Sequence, residues 1–151
     1  MYAEPAEPAN VEGWPKLQAA GYDEGHETKL LFSAPGFSLT YVWFKSGLPL
    51  PRHSHNVDCL YYIIAGSLRL GTQQLGAGDG FFIGADTPYA YVPGAQGVEV
   101  LEYRAADRFS IKFRADNLDF WTRAAGEIRQ RREAWASEVR PSWPSAAASQ
   151  R

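Results

Sequence analysis

The stretch that decides the fold runs from Gly47 to Gly66 and reads GLPLPRHSHNVDCLYYIIAG. It opens on a rigid extended loop, because each proline fixes its own backbone and restrains the residue before it. Two histidines follow, His53 and His55. On an extended strand, residues two apart point to the same side, so both imidazoles can face one point. Such a pair is the simplest route to a metal site with two nitrogen ligands.

Outward from this stretch, apolar and polar residues alternate with a period of two from residue 29 to residue 114, which is typical of strands. The predicted strands are Phe37–Phe44, Cys59–Ile64, Ser67–Leu70, Gly80–Ile83, Tyr89–Val92, Val98–Arg104 and Phe109–Phe113. Turn signals such as Ala65-Gly66 and Pro93-Gly94 separate them. Repeated short strands separated by turns predict an all-β antiparallel sandwich or barrel.

The chain divides into four predicted segments. Residues 1–15, with two EPA repeats, are expected to form a flexible arm, and residues 16–115 the barrel. Apolar residues at helical spacing predict an amphipathic C-terminal helix over residues 116–140, ending near Val139 because Pro141 follows. Residues 141–151 are expected to be a disordered or loosely docked tail.

Composition excludes several classes of protein. The chain has 151 residues and a formal net charge of −2, which argues against nucleic acid as a partner because phosphate binding needs a dense basic face. No stretch approaches the ~20 apolar residues that span a bilayer, so no membrane partner is expected. The N-terminus lacks the features of a secretory signal. The single cysteine suits a reducing compartment, and we expect a cytoplasmic location.

Two segments carry a resemblance to a known family. Gly47–Gly66 resembles the first motif of the cupin family: a glycine, an H-x-H pair, a glutamate and a second glycine at set spacings. Gly78–Pro93 resembles the second cupin motif. The resemblance covers roughly residues 36–104 and implies a cupin-type antiparallel jelly-roll barrel with a divalent metal inside. The implied metal ligands are the two H-x-H histidines, the glutamate and a histidine of the second motif.

The sequence departs from this pattern at two of the four implied ligands. His53 and His55 match, but Cys59 stands at the glutamate position and Tyr89 at the second-motif histidine position. A thiolate is a good ligand for several transition metals. His53, His55 and Cys59 are therefore the predicted metal ligands, and the candidate ions are Zn, Fe, Ni, Mn and Cu.

Other roles remain open for these positions. A neutral phenol is a poor ligand, so Tyr89 is predicted to be catalytic as a general acid or base; packing against Tyr91 is the alternative. Cys59 is otherwise a small buried hydrophobic residue. Asp58, if its strand bulges, or Glu102, if its face points inward, would replace the glutamate.

Strand phase predicts a narrow aromatic interior that fits a small, partly apolar ligand. The predicted lining residues are Tyr41, Trp43, Tyr61, Tyr91 and Glu102. Val42 and Phe44 alternate with the predicted lining residues and would therefore lie on the outer face. Apolar residues on an outer face are often buried against a second copy, so we expect a homodimer. His26 precedes the first clear strand and is expected at the surface.

Two functions follow from these patterns. The resemblance implies a metal-dependent enzyme that acts on a small organic substrate, with dioxygenase, isomerase and lyase chemistry all open. The alternative is a non-enzymatic small-molecule-binding or sensor protein that has lost its metal. The two replaced ligand positions favour this alternative.

Overall fold

The computed structural model describes residues 13–114 and 118–143. Within them the chain forms helices α1 (Gly13–Ala20) and α2 (Leu118–Trp135), a 3-10 turn at Tyr22–Gly25, and eight strands. The strands are β1 (His26–Ala34), β2 (Phe37–Phe44), β3 (His53–His55), β4 (Cys59–Leu70), β5 (Gln73–Gly76), β6 (Gly80–Ile83), β7 (Tyr91–Arg104) and β8 (Ile111–Phe113). Neither helix of the described part is long and apolar enough to cross a membrane.

The strands form two antiparallel sheets. The larger has the order β1-β2-β7-β4-β5, with β6 also paired to β4, and the smaller pairs β3 with β8. An isolated bridge between His53 and Tyr89 links β3 to the segment before β7. Buried apolar residues such as Ile63, Val98 and Val100 fill the space enclosed by the strands. The predicted all-β jelly-roll barrel with a C-terminal helix is confirmed.

Strand β2 has the predicted bounds but the opposite orientation. Val42 pairs with Val100 and is 2% exposed, and both Val42 and Phe44 line the interior. The prediction that they form an outer dimer face is wrong. Trp43 on the other face is also buried, so both faces of β2 are covered. Alternation therefore shows which residues share a face but not which face is inside.

Two predicted turns lie inside long strands. Strand β4 continues through Ala65-Gly66, where the register with β7 shifts on either side of Gly66. Gly66 has a φ of +79°, so the chain forms an irregularity in the ladder there rather than a reversal. Strand β7 likewise runs through Pro93-Gly94.

The segment boundaries also differ at both ends. Gly13–Pro15, assigned to the flexible arm, begins helix α1, whose Leu17 is fully buried. The rest of the predicted arm, residues 1–12, lies outside the described residues, as do 115–117 and 144–151. Helix α2 ends at Trp135, earlier than Val139. Beyond it the chain returns to the barrel, where Ser142 contacts the outer face of β7.

Candidate functional site

The two histidines of β3 are held by backbone carbonyls. Nδ1 of His53 lies 2.8 Å from the carbonyl oxygen of Pro51, and Nδ1 of His55 lies 3.0 Å from that of Ser110. A carbonyl only accepts hydrogen bonds, so Nδ1 carries the proton in both rings and Nε2 keeps its lone pair. The ring centres are 5.0 Å apart. Both residues line one interior cavity.

Burial keeps both imidazoles neutral. It lowers the pKa of His53 to about 4, and the nearby charge of Arg104 acts in the same direction. It lowers the pKa of His55 to about 3, again with Arg104 opposing a second positive charge. At neutral pH the two side chains therefore offer lone pairs and no charge.

Arg104, a residue that the sequence reasoning missed, supplies the positive charge of the interior. Its Nη2 donates to Oε2 of Glu102 at 2.9 Å and lies 3.5 Å from Nε2 of His55. The guanidinium carbon also lies 4.4 Å from the ring centre of Phe109. Burial disfavours the charge, but the carboxylate of Glu102 raises the pKa of Arg104 far above neutral pH, so the side chain stays protonated.

Cys59 is buried in the barrel wall and, among the described residues, forms no metal-holding group with the two histidines. It pairs with Arg104 across β4 and β7, is 1% exposed, and donates its thiol hydrogen to the carbonyl oxygen of Val57 at 3.6 Å. Burial raises the pKa of Cys59 despite the opposing charge of Arg104. The side chain is therefore a buried thiol, not a thiolate.

The alternative carboxylates are also engaged elsewhere. Asp58 accepts a hydrogen bond from the backbone N–H of Ala85 at 2.8 Å, which holds the β6–β7 loop. Glu102 does point inward, where it pairs with Arg104. Over residues 13–114 and 118–143, no three His, Cys, Asp or Glu side chains come together as a group that could hold a metal ion.

This donor set does not fit a divalent metal. Nδ1 of His55 is committed to a carbonyl, so Nε2 is its one nitrogen left for a ligand bond. That nitrogen faces the guanidinium of Arg104. A permanent cation at this position would repel a metal ion, and the buried thiol of Cys59 would have to lose its proton before it could bind one.

Tyr89 lies against the histidine pair. Its backbone exchanges two hydrogen bonds with His53, of 2.8 and 3.0 Å, and the two ring centres are 4.5 Å apart. Its hydroxyl is hydrogen-bonded to the hydroxyl of Tyr61. Burial raises the pKa of both phenols, so both are neutral hydrogen-bonding groups at pH 7.

The cavity has a volume of about 350 Å³. Its aromatic wall is formed by Trp14, Tyr22, Phe44, Tyr89, Tyr91 and Phe113. Helix α1 contributes part of that wall, since the ring of Trp14 stacks on Phe113 at 5.1 Å. A polar cluster of His53, His55, Glu102 and Arg104 forms another part.

The predicted lining set is therefore only partly placed at the cavity. Tyr91 and Glu102 line it, and Tyr61 lies behind the wall in contact with Tyr89. His26, expected at the surface, is half-buried and also lines it. Strand β1, which places His26 and Thr28 at the cavity, was not among the strands predicted from the sequence.

Tyr41 and Trp43, which the sequence placed in the interior, lie on the outer face of the barrel. The hydroxyl of Tyr41 donates to Oε2 of Glu99 at 2.7 Å, and Ser142 binds the same carboxylate. The guanidinium of Arg140 lies 5.3 Å from the ring centre of Tyr41 and 5.6 Å from that of Trp43. The segment after α2 thus covers these side chains, which explains why they alternate like interior residues.

Comparison with known proteins gives matches among solved structures only. No protein-family model matches the sequence, and no curated protein does. The polyketide cyclase RemF from Streptomyces resistomycificus matches with 20% identity and a TM-score of 0.58, over 70% of this chain and 82% of that one. An oxalate decarboxylase variant from Bacillus subtilis matches with 18% identity and a TM-score of 0.51, over 55% of this chain.

The chain spans 26% of the oxalate decarboxylase. An RmlC-like cupin from Shewanella frigidimarina shares 21% identity at a TM-score of 0.49, over 55% of this chain and 78% of that one. This protein has the cupin fold, as the H-x-H segment predicted. At these identities the likeness establishes the fold alone.

Proposed function

We propose that this protein binds a small organic molecule inside the cupin barrel and that its interior site works without a divalent metal. The observation that carries the proposal is the guanidinium of Arg104 against Nε2 of His55, in the wall of a cavity of about 350 Å³. The barrel thereby provides a fixed cation of its own. The metal-dependent enzyme implied by the family resemblance lacks its third ligand among the described residues.

Cavity size and chemistry limit the ligand. A volume of about 350 Å³ lies near the lower end of the range for small-molecule sites, which favours a compact ligand of one or two rings. Most of the wall is aromatic or aliphatic, so most of the ligand surface is apolar. Nε2 of His53, to which no described residue donates a hydrogen bond, is free to accept one from the ligand.

An acid–base enzyme is the second candidate function. The hydrogen-bonded hydroxyls of Tyr61 and Tyr89 support it, because Tyr89 carries its phenol proton on a ring whose centre lies 4.5 Å from that of the neutral His53. In this candidate Tyr89 is the catalytic residue that exchanges a proton with the bound molecule. Mass spectrometry of a bound compound before and after incubation distinguishes a binding protein from an enzyme, since a binding protein leaves the compound chemically unchanged.

Metal content tests the proposal. Protein purified without a nickel column and dialysed against Zn²⁺ or Fe²⁺ is expected to retain far less than one metal ion per chain. The variant H53A/H55A and the variant Cys59→Ser should give the same low value, and a chelator should not shift the unfolding temperature. One metal ion per chain that H53A/H55A removes would overturn the metal-free site.

Cavity filling tests the binding role. Val42→Phe adds bulk to the cavity wall and is expected to weaken binding of a neutral probe, phenol, measured by calorimetry. Val139→Phe is the matched control, because Val139 is 53% exposed and lies after α2. Equal phenol affinity in both folded variants would count against the cavity as a binding site.

We also propose that two copies associate through the open half of the outer sheet face. Phe37, Leu60, Phe82 and Tyr103 are all more than a third exposed there. Leu60 is the register partner of both Phe82 and Tyr103, and the ring of Phe37 lies 6.3 Å from that of Tyr103. The four side chains therefore form one apolar surface, which we call the outer patch.

A further inference from the structure

We propose that the cavity takes a small aromatic or alicyclic carboxylic acid and that Arg104 binds its carboxylate. The inference rests on the proposed binding function and names the ligand class. It uses two features of the same cavity: an under-used guanidinium and a wall of aromatic rings.

The guanidinium of Arg104 has hydrogen-bonding capacity that the described residues leave unused. It carries five N–H bonds. Nη2 donates to Glu102 and contacts Nε2 of His55, whereas Nε and Nη1 are buried without a hydrogen-bond partner. Leaving such donors unpaired carries the full desolvation cost of each N–H group. A bound oxyanion that accepts from them recovers this cost, and a carboxylate matches guanidinium geometry better than any neutral group.

The rest of the wall selects the body of the ligand. The ring of Phe44 lies 5.7 Å from that of Tyr91, and the ring of Trp14 stacks on Phe113 at 5.1 Å. These rings line the same cavity as Arg104. A flat apolar body packs well between such surfaces, whereas a highly hydroxylated one would leave its polar groups unpaired.

Glu102 sets the strength of the anion site. With no ligand bound, its carboxylate neutralises Arg104 through one contact of 2.9 Å to Nη2. The same carboxylate repels an incoming anion and competes for the guanidinium. Glu102→Gln removes the negative charge, keeps the shape of the side chain and leaves Arg104 in place. Anion affinity should therefore rise in this variant by more than the affinity for a neutral ligand of the same shape.

Calorimetry with benzoate and its uncharged analogue benzamide tests the inference. Wild-type protein should bind benzoate about tenfold more tightly than benzamide, and Glu102→Gln should bind benzoate about tenfold more tightly still. The variant E102Q/R104Q should bind both probes with equal affinity. Glu99→Gln is the matched control, because Glu99 is a buried carboxylate of the same strand that faces outward. It should keep the wild-type affinities.

The outcomes separate the inference from the proposed function. Equal affinity of wild-type protein for benzamide and benzoate would overturn the anion site and leave the binding function standing. Failure of both probes and of phenol to bind would overturn the binding function itself. Should E102Q/R104Q not fold, the comparison of benzoate with benzamide on the wild-type protein decides, because an Arg104 with only a structural role gives no preference for the anion.

Discussion

Nη2 of Arg104 lies 3.5 Å from Nε2 of His55, the one nitrogen of that imidazole not committed to a backbone carbonyl. The H-x-H pair therefore faces a cation that belongs to the chain. Glu102 neutralises this cation at 2.9 Å, and Cys59 lies opposite Arg104 on the neighbouring strand. The interior is thus organised around a buried ion pair, and the stability of the barrel depends on keeping the two charges paired with each other.

Removing one member of the pair should destabilise the fold strongly. Arg104→Met leaves the carboxylate of Glu102 buried without its partner, and the expected loss in the free energy of unfolding is ~3–5 kcal/mol. Glu102→Leu combined with Arg104→Met removes both charges and should recover most of that loss. Urea unfolding of the three proteins measures the difference.

A surface ion pair is the control for this prediction. Glu24 and Arg132 form a hydrogen-bonded pair at the surface, so Glu24→Gln should leave the unfolding midpoint where it is in the wild type. Equal instability of the single Arg104 variant and the double variant would show that the side chain is needed for packing rather than for charge balance.

The histidine pair predicts that stability falls on mild acidification. The pKa is about 4 for His53 and about 3 for His55 in the folded protein, against about 6.5 in an unfolded chain. Below pH 6.5 the two histidines bind protons in the unfolded state but not in the folded state. The free energy of unfolding should therefore fall between pH 6.5 and pH 4, by up to ~1.4 kcal/mol per pH unit for each histidine.

Urea unfolding between pH 7.5 and pH 5 measures this slope, because few carboxylates titrate there. The variant H53Q/H55Q cannot take up these protons and should show a shallower slope than the wild type. Parallel profiles for the two proteins would contradict the prediction. His26, whose pKa is also lowered by burial, leaves part of the slope in the variant.

Local sequence predicted much of the fold because the strands carry clear boundaries. The bounds Phe37–Phe44 and Gly80–Ile83 match β2 and β6, and the H-x-H segment matches β3. The orientation of β2 could not be predicted, because residues far along the chain cover its outer face; Arg140 reaches Trp43 from beyond α2. Helix α1 was missed because its short sequence contains glycine and proline, and its buried residues Gly13, Leu17 and Ala20 include only one large apolar side chain.

The candidate site was predicted in part for a similar reason. The sequence pointed to His53, and the structure brings Tyr89 against it. Arg104 was missed because an arginine at a strand end normally indicates solvent exposure. The signal that could have found it was Glu102, two residues earlier on the same face. A paired interior charge depends on tertiary contact, which a strand pattern does not show.

Gly66 permits the irregularity that joins two predicted strands into β4. Its φ is +79°, and a Cβ atom there would lie 2.2 Å from the backbone oxygen of Gly97. Gly66→Ala should therefore lower the free energy of unfolding by ~3 kcal/mol, from backbone strain and from the clash. Gly71→Ala is the matched control, since Gly71 has a φ of +60° with open space around it. It should cost only the strain, ~1 kcal/mol. Equal losses in urea unfolding would contradict the role assigned to Gly66.

The outer patch predicts a dimer that a single polar substitution disrupts. Phe82 lies on strand β6 at one end of the patch and, at 61% exposed, is the most exposed of its four side chains. Phe82→Ser should convert a dimer to a monomer in light scattering at micromolar concentration, with an unchanged unfolding temperature for the monomer fold. Trp143→Ser removes an equally exposed aromatic ring beside Arg140, outside the patch, and should leave the dimer intact. A monomeric wild-type protein, or equal loss of the dimer in both variants, would rule out the patch as the interface.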